Sequence, residues 1–311
     1  MRGGSPTPAA HYYCGIKEAT VPVTRENHEF VDAQGVTVHY YVWKAASPRA
    51  VLQVAHGLGE YAGRYEELAQ AFVAAGISVY ADDHRGHGQT GLTQNNGDHS
   101  KLGKLGAGGL RAATEDLHQL TGIIQSENAG LPIVFLGHSW GSLMGQRLIN
   151  EHIGDFAAVV LSGTAYRTPR WMNGGNLNAK HKHLGTTGYE WLSRDEAVSA
   201  AFVADPLTFY ADALKLFGVV DGLRLYGVPS KPMPADVPLL IVIGSEDSLG
   251  GERSVEKLAE AYLTRGALSD VKVVVYNEAR HEVFNETNRV EVIADLIGWI
   301  DRRLARVTSA S

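Results

Sequence analysis

Six stretches of the chain are short, nearly continuous in apolar residues and rich in β-branched side chains: 50–56, 77–82, 132–138, 157–162, 238–244 and 271–276. Runs of this length without polar alternation suit strands covered on both faces, as in a parallel sheet. Two earlier stretches, 29–32 and 37–44, flank the turn signal Ala33-Gln34-Gly35 and predict a hairpin. Between the apolar runs the period becomes helical. Leu68, Phe72 and Val73 share one face of 65–75, and Leu117, Leu120 and Ile124 share one face of 110–127. Segments 142–152, 254–264 and 289–304 repeat the pattern. Alternation of this kind predicts an α/β fold: a mostly parallel central sheet with helices on both faces.

One region breaks the rhythm. Residues 165–227 hold no clean strand but are rich in aromatics: Trp171, Tyr189, Trp191, Phe202, Phe209, Tyr210 and Phe217. The sheet pattern resumes at Val237. The segment therefore reads as a helical cap inserted between two core strands. The expected organisation is an extension over 1–26, core over 27–164, cap over 165–227, core again over 228–306, and a tail over 307–311. Met1 to Ser5 resembles the scar of an expression tag, and the glycine-rich run 102–109 reads as a loop ahead of a helix.

Composition narrows the function classes. The 311 residues are 44% hydrophobic and 20% charged, enough for a sizeable core in an ordinary globular protein. The net charge is −6 and no block of lysine or arginine stands out, which argues against a nucleic-acid partner. The one cysteine, Cys14, has no partner for an internal disulfide. No apolar run approaches the roughly 20 residues that span a bilayer, and the N-terminus lacks a signal peptide's apolar stretch. A cytoplasmic location is the expectation.

Within the run Leu136-Gly137-His138-Ser139-Trp140-Gly141-Ser142, Ser139 lies between Gly137 and Gly141 in a G-x-S-x-G pattern. A strand is predicted before it and a helix after it, the setting of a nucleophile elbow. Both glycines suit a turn so sharp that a Cβ would clash. A serine nucleophile needs a base and an acid that orients it, in the chain order Ser, Asp or Glu, His. Asp247 follows the strand 238–244, with Glu246 as its rival, and His281 follows the strand 271–276. Both lie past the C-terminal ends of strands, where sites of open α/β sheets gather. The loop Ala55-His56-Gly57-Leu58-Gly59-Glu60 can supply one oxyanion donor through the Leu58 amide, and Trp140 the other. Gly57 and Glu60 in that loop, and Trp171 and Tyr189 in the insertion, are candidate substrate contacts. His56 reads as a buttress of the loop. Asp83-His84-Arg85-Gly86-His87-Gly88 reads as a braced turn rather than a metal site, and His181-Lys182-His183 as solvated surface. Neither a metal nor a cofactor is called for.

Four motifs in order carry a resemblance. They are His56-Gly57-Leu58-Gly59-Glu60 with Arg64-Tyr65; Asp83 to Gly88; Gly137 to Gly141; and Ala279-Arg280-His281-Glu282 with Asn285-Glu286. Together, over residues 27–304, they resemble the monoacylglycerol lipase and lysophospholipase-like family of α/β-hydrolases. The resemblance implies a triad of Ser139, Asp247 and His281, an oxyanion hole from Leu58 and Trp140, and a cap after the sixth strand that can touch lipid interfaces. The family usually has methionine and glycine where this chain has Trp140 and Ser142. Three functions compete on these residues. The first is a carboxylic-ester hydrolase of monoacylglycerols or similar single-chain esters. The second is a serine aminopeptidase or amidase, which would need cap acids such as Glu190, Asp195 or Glu196 to hold an ammonium. The third is a non-catalytic ligand-binding protein. Oligomeric state is open.

Overall fold

The computed structural model describes residues 23–310. Cys14 and the stretch 1–5 lie outside the described residues. Eight strands form one sheet: β1 (Glu26–Val31), β2 (Thr37–Trp43), β3 (Ala50–Ala55), β4 (Ile77–Asp82), β5 (Ile133–His138), β6 (Ala158–Ser162), β7 (Leu239–Gly244) and β8 (Val271–Tyr276). Their order is β1-β2-β4-β3-β5-β6-β7-β8. The pairs β1/β2 and β2/β4 are antiparallel and all others parallel. The hairpin turn is held by Asp32, whose Oδ1 accepts from the Gln34 and Val36 amides at 2.8 Å each. Gly35 supplies its φ of +78°.

Every residue of β3, β4, β5 and β7 is buried, which explains their unbroken apolar runs. The edge strand β8 has the same composition but is mostly half-buried, because it has a neighbour on one side only. One face of the sheet packs on α1 (Glu66–Ala74) and α8 (Arg289–Ala310) through Leu68, Phe72, Leu296 and Trp299. The other face packs on α3 (Gly109–Glu127), α4 (Trp140–His152) and α7 (Glu252–Thr264) through Leu117, Met144, Leu258 and Tyr262. One expectation is corrected and one element is added. Helix α8 continues to Ala310, so 307–310 is no separate tail. A short helix α2 (Gly88–Gln94) follows the Asp83–Gly88 turn, and its sequence GQTGLTQ has no apolar period to announce it.

Between β6 and β7 the chain forms only α5 (Glu196–Ala204), α6 (Ala213–Arg224) and turns. No helix among the described residues is long and apolar enough to cross a membrane. The strand order itself creates a binding place. From β3 the chain crosses first to β4 on one side and later to β5 on the other. That reversal opens a crevice at the C-terminal ends of β3 and β5, the place where open α/β sheets bind ligands.

Candidate active site

Ser139 sits between β5 and α4 with φ +52° and ψ −121°, a conformation that side chains other than glycine rarely adopt. The turn is held rather than loose. The Ser139 amide donates to the Ser162 carbonyl at 2.9 Å. The Ser142 hydroxyl donates to the Ser139 carbonyl at 2.6 Å and lies 2.8 Å from the Thr164 hydroxyl. Ser142, one of the two departures from the family pattern, thus braces the elbow. The glycines are explained by contact. A Cβ at Gly137 would lie 2.7 Å from the Gly141 carbonyl, and one at Gly141 would strike the carbonyls of Ala55 and His56.

The acid is Asp247. Its Oδ2 lies 3.0 Å from His281 Nδ1 and its Oδ1 accepts from the Leu249 amide at 2.7 Å. Glu246 points elsewhere and pairs with Lys180 at 2.5 Å. Asp247 and His281 are both buried. Burial alone would favour their neutral forms, but each stabilises the other's charge. The Asp247 carboxyl is held below its usual range and the His281 imidazole above its own. With Nδ1 turned to Asp247, His281 Nε2 has no partner among the described residues. The ring is sandwiched by Trp191 at 4.6 Å and His138 at 4.8 Å between centroids. Burial drives His138 down to about 3, so it stays neutral beside the site.

Leu58 follows β3 and Trp140 opens α4. Among the described residues neither amide has an acceptor. The Gly57 amide, by contrast, donates to Glu60 Oε1 at 2.6 Å, which fixes the course of the loop. Behind the loop, His56 accepts from the His84 amide at 3.0 Å through Nε2 and stacks on the His84 ring at 3.8 Å. A network that sequence reasoning gave no role completes this wall. Arg64 donates to Glu60 at 2.5 Å and to both oxygens of Glu282 at 2.7 and 2.8 Å. It ties the Gly57–Leu58 loop to the residue after His281. Arg64-Tyr65 and His281-Glu282 were both visible as motifs, but their meeting was not.

Ser139, His281, Leu58 and Trp140 line one cavity of about 370 Å³. Much of its wall is apolar and comes from the insertion and its surroundings, with Leu143, Met172, Phe202, Phe209, Phe217 and Leu249 among the contributors. Gly57, Glu60 and Tyr189 line it as well. Trp171 does not: it is covered by Arg170, whose guanidinium lies 5.2 Å from the ring, and its neighbour Met172 faces the cavity instead. Trp140, the other family departure, stacks on His87 at 5.1 Å and touches Phe217 of α6 at 5.4 Å.

The remaining sequence candidates lie away from the reacting groups. In the Asp83–Gly88 turn, Asp83 accepts from Tyr41, Ala62 and Gln89, and Arg85 is buried against Asp116. None of these residues lines the cavity. His181 is corrected: it is buried, because the turn at 181–184 folds it onto the Glu246 carbonyl at 3.1 Å, while His183 is exposed. Glu190 is enclosed by donors from Thr187 and Asn178, Asp195 caps α5, and neither they nor Glu196 reaches the cavity. Among the described residues, His118, His152 and Asp155 bring metal-ligating atoms within 4.8 Å of one another, on helices away from the cavity wall.

Comparison with known proteins places the chain in a family. The family described as "Serine aminopeptidase, S33" (Hydrolase_4) matches residues 46–288. A monoacylglycerol lipase of Mycolicibacterium smegmatis is 34% identical, over 90% of this chain and 98% of its own. The monoglyceride lipase of Homo sapiens is 28% identical, over 90% and 92%. A thermostable carboxyl esterase of Bacillus coagulans, solved with glycerol, superposes with a TM-score of 0.76 at 25% identity, over 91% of this chain and 99% of its own. With a match along most of its length, the chain belongs to this family of α/β-hydrolases and is a serine hydrolase.

Proposed function

We propose that the protein hydrolyses carboxylic esters of single acyl chains, monoacylglycerols foremost, through an acyl-enzyme on Ser139. His281 Nε2 takes the Ser139 proton as Oγ bonds to the ester carbon. The oxyanion that forms is held by the Leu58 and Trp140 amides. His281 then gives the proton to the leaving alcohol as the C–O bond breaks. Water, deprotonated by the same nitrogen, releases the acid. Asp247 keeps Nδ1 protonated and stabilises the imidazolium. The observation that carries this reading is the meeting in one cavity of a strained serine, an Asp247-backed histidine with a free Nε2, and two unused amides. The apolar wall supports an acyl chain as the bound group. The relatives' names, lipases of monoacylglycerols and an esterase, support the same class.

The family description also names an aminopeptidase. Glu190, Asp195 and Glu196 stand outside the cavity wall, which weighs against their holding a substrate ammonium. A series of nitrophenyl esters beside monoacylglycerols and an aminoacyl amide tests the choice. The expected result is highest kcat/KM on the acyl esters, abolished in Ser139→Ala. If the aminoacyl amide is the best substrate, the ester reading is wrong.

A further inference from the structure

The described wall of the cavity holds three carboxylates, Glu60, Asp212 and Glu282, and no lysine or arginine. Asp212 caps α6 and lies 3.1 Å from Lys215, so its charge is met locally. Glu60 and Glu282 are different. They share one cation, Arg64, which stands behind the wall. The groups at their oxygens are donors: the Gly57 amide, the Tyr65 hydroxyl at 2.8 Å, Arg64, and the Asn285 amide at 2.8 Å. Against burial, Arg64 holds the Glu282 carboxyl down to about 2, whereas burial and the neighbouring Glu282 raise Glu60 above its usual range against the pull of Arg64, so both are ionised only above the raised Glu60 midpoint. With both ionised, two negative charges against one positive leave a surplus of one negative charge. It is buried beside His281, whose own charge is matched by Asp247. In such a setting charge is poorly screened.

Hydrolysis of an ester turns a neutral group into a carboxylate inside this chamber. We infer that Glu282 is a specificity-determining residue. Its carboxylate sets a surplus negative charge beside the catalytic histidine that admits esters of uncharged alcohols, bars esters bearing a phosphate, and expels the carboxylate product. The inference rests on the ester-hydrolase reading and deepens it.

The test matches one acyl chain on glycerol and on glycerol phosphate, below aggregation, in the wild type and in Glu282→Gln. Glutamine keeps the size and still accepts from Arg64. The wild type is expected to favour the glycerol ester by at least about tenfold in kcat/KM, the factor that ~1.4 kcal/mol of repulsion gives. Glu282→Gln is expected to shrink that preference several-fold. It is also expected to tighten inhibition by the fatty carboxylate while leaving inhibition by the alcohol of equal length unmoved. Unchanged ratios in a variant that still cleaves nitrophenyl acetate would overturn the inference. The wild type alone supplies a check that needs no variant. Equal-length alkyl amine, alcohol and carboxylate should inhibit in that order of decreasing strength, and a carboxylate binding as tightly as the alcohol would also overturn it. Absence of any ester cleavage by the wild type would instead sink the underlying reading.

Discussion

In the proposed mechanism His281 is the base, and its environment sets a pH dependence. As a base it must be neutral, and Asp247 with the nearby Glu282 and Glu60 carboxylates raises its pKa against the effect of burial. The kcat/KM for an uncharged ester is therefore expected to rise with pH through a midpoint above the usual imidazole value of about 6.5. Asp247→Asn should move that midpoint down and cost about 10⁴-fold in kcat. Stability should change with pH in the opposite sense. The Asp247–His281 charge pair contributes fully below the unfolded imidazole pKa and is lost as pH rises through the higher folded one. Trp140 carries a separate prediction. Wedged between His87 and Phe217 and facing the cavity, its indole limits the space beside the nucleophile. In Trp140→Met the profile over nitrophenyl ester chain length should shift toward longer or bulkier acyl groups; an identical profile would rule this out. At this scale the sequence shows which residue types are present but not which loops meet. Asp247 and His281 could be placed because each follows a strand whose end is fixed by the sheet. The Arg64–Glu282 pair could not, because it joins residues 218 apart across loops with no periodic signal.

At the scale of elements, the elbow shows why β5 and α4 join as they do. Gly141 lets the first turn of α4 rest on the backbone leaving β3. Backbone carbonyls cannot swing aside as side chains can. Gly141→Ala is therefore expected to destabilise by about 1–3 kcal/mol in urea unfolding and to lower kcat by displacing Ser139. A fully stable and active variant would show that the close approach does not hold. Strands buried on both faces were plain in the sequence, since a continuous apolar run has few other places to go. Helix α2 was not, because two glycines and its polar side chains leave no face to read. The path of the insertion was equally hidden. Its turns are fixed by hydrogen bonds to distant loops, not by local apolar periodicity.

Across the whole molecule, those distant bonds join the insertion to the histidine loop. The Trp191 and Leu192 carbonyls accept from the His281 and Glu282 amides at 3.3 and 2.7 Å. Arg280 donates to the Ser193 carbonyl at 2.8 Å. The fully buried Glu286 accepts from the Arg280 amide at 2.7 Å, the Arg194 amide at 3.1 Å and the Arg194 guanidinium at 2.9 Å. Tyr189, Trp191 and Leu192, which line the cavity, are thus tied to the loop that carries His281. Glu286→Ala leaves the Arg280, Arg194 and Thr287 amides without this acceptor and takes one partner from the Arg194 guanidinium, and the expected cost is about 3–5 kcal/mol of stability together with lower kcat. Thermal unfolding and ester hydrolysis read both, and a variant unchanged in each would show the tie to be incidental. The outer surface of α6 is different in kind: Val219, Val220 and Leu223 are exposed on it.

The central claim is that Ser139 is the nucleophile. The most direct measurement is covalent labelling with a fluorophosphonate, followed by peptide mass spectrometry. The account predicts a single adduct, on the peptide containing Ser139, formed in step with loss of ester hydrolysis and absent from Ser139→Ala. Complete inactivation with the adduct on another residue, or undiminished hydrolysis once Ser139 is fully labelled, would contradict it.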